Sequence, residues 1–262
     1  MTDATTSAPG DAGSAQRLHG KVAIVTGAAS GMGASHVRAL AAEGAHVIAG
    51  DINTDVAPAD ETLQNVQFVK LDVTDESDWA NARELAFSTW GAVDVLVNNA
   101  GVSVGGGVEL ADYEMDNFRR TMEVNFFGAV NGMRAVLPAM KAAGRGSIIN
   151  IGSISGLNGW YRNSAYTSSK AAVGHITKSV ALEYGEYGVR INAVHPGLID
   201  TPMAKNREFL TGHIAMKRMG TVDEVSRVVV FLASDEASFV TGSGFVVDGG
   251  ESSGRPAPNY KI

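Results

Sequence analysis

The chain has 262 residues, 45% hydrophobic and 19% charged, a composition that suits one large α/β domain with a substantial core. Twenty-one basic against 28 acidic residues give a formal net charge of −7 with no block of like charge, which argues against nucleic acid or an anionic membrane as partner. There is no cysteine, so disulfides, thiolate chemistry and cysteine metal sites are excluded, and no apolar run approaches the roughly 18 residues of a spanning helix.

Residues 1–17 are rich in Ala, Thr, Ser, Gly and Asp and read as a disordered leader, with one domain expected over 18–262. The leader lacks the basic start and apolar stretch of a secretory signal, so a cytoplasmic protein is expected. Residues 21–26 are a short β-branched run ending in a glycine cluster. Residues 32–43 carry Val37, Leu40 and Ala41 at helical spacing and stop near Gly44. Further strands are expected at 46–49, 66–69, 93–97, 147–151, 190–194 and 244–247. Helices are expected at 116–141, 164–186 and 223–233. Short apolar strands alternating with helices argue for a doubly wound parallel sheet covered on both faces. No internal repeat or linker divides the chain.

The cluster after the first strand reads Gly27-Ala28-Ala29-Ser30-Gly31-Met32-Gly33, a G-x-x-x-G-x-G spacing. Glycines there let the backbone turn sharply and approach a pyrophosphate, while the helix N-terminus offers free N–H groups. Asp51, about twenty residues further on, follows the second strand, where an acid can bond both ribose hydroxyls. Its carboxylate would repel the 2′-phosphate of NADP, and neither residues 28–30 nor Ile52 offset it with a base. NAD is therefore favoured, although an acid at this place also suits a plain polar turn.

Tyr166 and Lys170 are four residues apart in an expected helix, so their side chains share a face. A phenol holds its proton up to about pH 10, and an ammonium alongside favours the phenolate. Ser153, thirteen residues before the tyrosine, would hold the oxygen of an alcohol or carbonyl.

Taken together, residues 26–33, Asn98-Asn99-Ala100-Gly101, Asn125, Ser153, Tyr166 with Lys170, and Pro196-Gly197 resemble the short-chain dehydrogenase/reductase family in order and spacing, over residues 18–250. The resemblance implies a single Rossmann-type domain with a seven-stranded parallel sheet. It also implies catalytic roles for Asn125, Ser153, Tyr166 and Lys170, the last two also gripping the cofactor. Asn98, Asn99, Ala100 and Gly101 would border the adenosine half of NAD, and Asp72, followed by Val73, would bond the adenine amino group. Pro196, Gly197, Ile199 and Thr201 would hold the carboxamide end. A homotetramer is the family's usual assembly. Asp248-Gly249-Gly250 and the tail 256–262 add some likeness to bacterial hydroxysteroid dehydrogenases within the family.

Some features depart from that pattern. Gly152 stands before Ser153 where the family often has a second serine. Residues 104–108 include three successive glycines and are expected to shape one side of the substrate cleft, with Trp160, Tyr161 and Asn163 as further candidates for its lining. Residues 204–219 fall where the family places a substrate lid and mix Met203 nearby, Phe209, Leu210, Ile214 and Met216 with Lys205, Arg207, Lys217 and Arg218. A surface helix would show the same mixture; position favours the lid. The six histidines form no ligand cluster, so no metal site is expected, and His195 stands apart only by adjoining Pro196. The expected activity is hydride transfer between NAD(H) and a secondary alcohol or its ketone with an apolar body. The alternatives are an NADP-dependent acyl-chain reductase and a non-catalytic NAD-sensing protein of the same fold.

Overall fold

A strand enclosed on both faces needs apolar residues at every position, whereas a strand at a sheet edge can alternate. Strand β1 (Val22–Thr26) is buried at every residue, while β3 (Val66–Lys70) and β7 (Gly244–Val247) have exposed and partly buried positions. The computed structural model, which describes residues 16–53, 64–204 and 208–254, places these strands accordingly. Between them lie β2 (His46–Asp51), β4 (Val95–Asn98), β5 (Gly146–Ile151) and β6 (Val189–Pro196). The seven strands are all parallel, in the order β3-β2-β1-β4-β5-β6-β7.

Helices cover both faces. On one, α1 (Gly31–Ala42) and α6 (Val222–Ala233) pack Val37, Leu40, Val225 and Val229 against Val25 and Val97 of the sheet. On the other, α2 (Glu76–Trp90) and α4 (Gly128–Ala143) bury Trp79, Ala82, Met133 and Val136 against Ile24, Leu96 and Ile148. The helix α5 (Ser164–Tyr184) continues this second layer and contributes Ala181 to its core. The indole of Trp79 donates to the Val73 carbonyl at 3.0 Å, so the ring is buried without orphaning its N–H.

The structure departs from the sequence reading at one helix and divides another. Helix α2 has no counterpart among the expected helices; Asp75 caps it, accepting from the Ser77 amide at 2.7 Å, and Gly91 ends it in the left-handed region. The helix expected at 116–141, in which the family resemblance implies a kink at Asn125, consists of α3 (Met115–Met122), a π turn at Glu123–Phe127 that contains Asn125, and α4. A π turn inserts one residue into the helical ladder, and such bulges gather at functional sites. Residues 1–15 of the expected leader, 205–207 of the expected lid and the tail 255–262 lie outside the described residues. Arg17, at the leader's end, pairs with Glu43 at the close of α1. Among the described residues no helix is long and apolar enough to cross a membrane.

Sheet order reverses direction between β1 and β4. In an open α/β sheet the crevice outside the carboxyl ends of such strands is where a ligand fits. Here the loops after β1 and β4 meet: the Asn99 side chain donates to the carbonyls of Thr26 and Gly27 at 2.9 and 3.2 Å. The Thr26 hydroxyl in turn accepts from the amides of Asn99 and Ala100, both at 3.0 Å.

Candidate active site

Two adjoining clefts open at this end of the sheet. The first is lined by the glycine loop, by Asp51 and Ile52, by Asp72 and Val73, and by Asn99, Ala100 and Gly101. Gly27, Ser30, Gly31, Met32 and Gly33 all face it. A methyl group added at Gly33 would lie 1.9 Å from the Gly27 carbonyl oxygen, so loop and helix touch backbone to backbone and only hydrogen fits. Gly27, at φ +64°, has its own Cα face against Ala100 at 2.9 Å for the same hypothetical atom. The cleft floor is therefore bare backbone at the N-terminus of α1, a surface that suits a pyrophosphate.

Asp51 is fixed at its edge. One carboxylate oxygen accepts from the Ala29 amide and the other from the Asn53 amide, both at 2.9 Å. Asp72 accepts from the amide and hydroxyl of Thr74 at 2.9 and 2.7 Å, bonds that hold its carboxyl below the usual range. Arg120, which the sequence reading missed, also lines this cleft and favours the Asp72 carboxylate. The available signal was helical spacing: Arg120 lies one turn before Val124, which faces the same space.

The second cleft brings together Ser153, Tyr166, Pro196, Gly197, Ile199 and Thr201. Met32, Thr201 and Met203 line both clefts and so join them. The Ser153 oxygen accepts from the Ser155 amide at 3.2 Å and from the Ser155 hydroxyl at 2.9 Å. With both lone pairs engaged, its own O–H is left to donate into the cleft.

Behind Tyr166, Lys170 is 96% buried, the complement of its 4% exposure, with its ammonium 2.8 Å from the Ile151 carbonyl and 5.8 Å from the tyrosine ring centre. Burial pushes its pKa from 10.5 down to about 8, so it still carries charge at neutral pH. Asn125 lies in the π turn and is also buried. Its amide donates to Val102 O and to the Ser169 hydroxyl, both at 2.9 Å, and its oxygen accepts from the Val102 amide at 2.7 Å. The Ser169 hydroxyl passes the link on to the Tyr166 carbonyl at 2.7 Å. A methyl group at Gly101 would lie 3.3 Å from both Asn125 Oδ1 and Lys170 Nζ, which places the three residues around one point.

Gly152 also acquires a reason. A Cβ there would stand 2.6 Å from His195 Nδ1, and Gly174 and Gly244 leave room on other sides of the same ring. Burial lowers the His195 pKa, and its Nδ1–H donates to the Ser153 carbonyl at 3.2 Å. Where the family often has serine, this chain has exchanged side-chain volume for an imidazole. Gly152→Ser is expected to lower the melting temperature by several degrees, since overpacking costs about 1–3 kcal/mol. Adding His195→Ala should recover most of that loss in a thermal melt; no recovery would show that the ring is not what the serine meets.

A contact at the edge of the second cleft was not legible in sequence. The nearly buried Glu251 accepts from the Leu198 amide at 3.0 Å and meets His213 Nε2 at 2.8 Å, tying the loop after β6 to the start of the expected lid's second half.

Comparisons with known proteins identify the family. The family described as enoyl-(acyl carrier protein) reductase matches residues 27–252. A 3-alpha-(or 20-beta)-hydroxysteroid dehydrogenase of Mycobacterium tuberculosis is 49% identical over 240 residues, covering 91% of this chain and 92% of its own. A trans-4-hydroxycyclohexanecarboxylate dehydrogenase of Sinomonas cyclohexanicum is 45% identical over 250 residues, covering 91% and 95%. The crystal structure of levodione reductase superposes with a TM-score of 0.86 at 30% identity, covering 90% of this chain and 99% of that one. The chain belongs to the short-chain dehydrogenase/reductase family of oxidoreductases.

Proposed function

We propose that this protein is an NAD-dependent dehydrogenase of cyclic secondary alcohols, working reversibly on the corresponding ketones. The observation that carries the reading is the shared cleft: Ser153 and Tyr166 face one space, which opens through Met32 and Thr201 into the glycine-floored one. A nicotinamide dinucleotide, when bound there, supplies the hydride acceptor for oxidation and the donor for reduction. The bare backbone of the glycine loop fits its pyrophosphate and Asp51 its ribose hydroxyls.

The remaining work belongs to side chains. Ser153, with its lone pairs engaged by Ser155, donates to the substrate oxygen and fixes it beside Tyr166. In oxidation the Tyr166 phenolate takes the alcohol proton, and in reduction the phenol returns it. The Lys170 ammonium stabilises the phenolate, in a setting dry enough that its charge is felt. Asn125 keeps the π turn, the Val102 backbone and α5 in register, so the tyrosine approaches at one angle. Apolar Ile154, Trp160, Leu198 and Met203 line the rest of the cleft and suit a hydrocarbon body. The relatives' names specify a hydroxysteroid and a trans-4-hydroxycyclohexanecarboxylate, each a secondary alcohol on a carbocycle, the second carrying a carboxylate as well.

A second reading, NADP dependence, has one observation in its favour, the presence of Arg120 in the cofactor cleft. Asp51 outweighs it, because the carboxylate lies at the strand end where a 2′-phosphate would have to fit. The expected assembly is a homotetramer, and fully or largely exposed apolar side chains such as Leu182 and Phe239 support burial against further copies.

The test is formation of the reduced cofactor from NAD⁺ and, in parallel, from NADP⁺, across cyclohexanol, a 3α-hydroxysteroid and an acyclic secondary alcohol. Turnover of the cyclic alcohols with NAD⁺ at least tenfold better in kcat/KM than with NADP⁺ is expected. Equal use of the two cofactors would overturn the NAD preference. Tight NADH binding without turnover of any alcohol would favour the sensing alternative.

A further inference from the structure

The polar group least explained by the site is Asn163. It is the residue just before α5, the N-cap position that asparagine favours because its side chain can accept from the helix's first amides. Here it makes no such bond. Its oxygen instead accepts from the Ser103 hydroxyl at 3.2 Å, across the mouth of the substrate cleft that both residues line. Its Nδ2 makes no hydrogen bond among the described residues.

Two further features hold the amide there. Arg162 adopts φ +53°, a left-handed conformation that is strained for a residue with a long side chain, and its carbonyl accepts from the Gly107 amide at 2.8 Å. A methyl group at Gly106 would come 3.1 Å from Asn163 Oδ1, so the glycine run at 105–107 keeps the space this side chain occupies. Backbone strain and side-chain volume are thus both given up to turn the amide away from its helix.

We propose that Asn163 is a specificity residue, its Nδ2 donating to a second, neutral oxygen carried across the ring from the reacting carbinol. This rests on the dehydrogenase reading above and narrows its substrate class to cyclic secondary alcohols bearing a carbonyl, hydroxyl or ether oxygen opposite the reacting carbon. Asn163 and Tyr166 line the same cleft from the start of α5, so one ring can meet both side chains. Charge selects a neutral group: no Lys or Arg lines this cleft among the described residues, and the guanidinium of Arg162 is held 2.7 Å from Glu109. A carboxylate would enter unpaired.

The experiment compares kcat/KM for trans-4-methoxycyclohexanol, its near-isostere trans-4-ethylcyclohexanol, and trans-4-hydroxycyclohexanecarboxylate, in the full chain with NAD⁺ and NADP⁺. The wild type should prefer the methoxy over the ethyl compound by about fivefold, the worth of one neutral hydrogen bond. Asn163→Ala and Asn163→Asp should both bring that ratio close to one, whatever their absolute rates. The ratio is the readout, so a general loss of activity in either variant does not imitate the result. A wild type that oxidises both compounds without preference overturns this inference and leaves the dehydrogenase reading standing. Preference for the carboxylate over the methoxy compound overturns the choice of a neutral oxygen. Failure to oxidise any of the three with either cofactor overturns both readings.

Discussion

Tyr166→Phe is expected to lower kcat by roughly a thousandfold or more while NADH affinity changes only a few-fold. The phenylalanine ring keeps the shape of the cleft wall and removes one oxygen, so the loss reports on the proton and not on the fold. Positioned general acid–base groups contribute about 10² to 10⁴ in rate. This one should fall toward the upper end, because among the described residues lining the cleft no other side chain is placed to carry that proton. Ser153 has its lone pairs engaged by Ser155 and is arranged to donate, not to accept. Lys170 is turned to the Ile151 carbonyl at 2.8 Å behind the tyrosine. Cofactor titration by fluorescence and single-turnover kinetics separate the two effects. A drop of less than tenfold, with normal NADH binding, would mean that the proton leaves by another route.

The strands were legible because burial on both faces favours runs of Val, Ile and Ala, as in Val22–Val25 of β1 and Val47–Ala49 of β2. Residues that make the site by backbone logic were legible too: Gly27 and Gly33 are where bare backbone is required, and the sequence can answer that need in only one way. Helix α2 was missed because its buried face is built from Trp79, Ala82 and Ala86, and small residues give a weak apolar signal. Its caps, Asp75 and Gly91, were the better clue. The π turn could not be read from periodicity. It exists where Asn125 leaves the helical pattern to bond Val102, a contact decided by where β4 ends. Arg120, the Ser103–Asn163 pair and Glu251 share that character, since each meets partners or surroundings assembled from distant parts of the chain. His195 shows the same limit from the other side: Gly152 looked like a lost serine until the ring that fills its place was seen.

Lys170→Met should abolish turnover and raise thermal stability at pH 7. Burial moves the lysine from 10.5 to about 8, which at about 1.4 kcal/mol for each pH unit amounts to roughly 3 kcal/mol against folding when the group is charged. Methionine fills similar volume without that charge. Part of the gain is returned because the Ile151 carbonyl loses its 2.8 Å donor, worth about 1 kcal/mol. The net expectation is a melting temperature higher by a few degrees. The sign with pH follows from proton binding. Below pH 8 folded and unfolded chains both hold the proton, and the full burden is present. Between pH 8 and 10.5 the folded chain loses the proton first, the unfolded chain binds more protons, and the wild type gains stability as pH rises. The advantage of the variant should therefore be largest at or below pH 7 and shrink toward pH 10. Melts at pH 7 and pH 9.5 check this directly. A variant less stable than wild type at pH 7 would show that the ammonium's bonds outweigh its desolvation. A variant retaining more than a tenth of wild-type kcat would remove Lys170 from the catalytic machinery. If both expectations hold, a charge that weakens the folded state is retained because the tyrosine beside it needs that charge to take a proton near neutral pH.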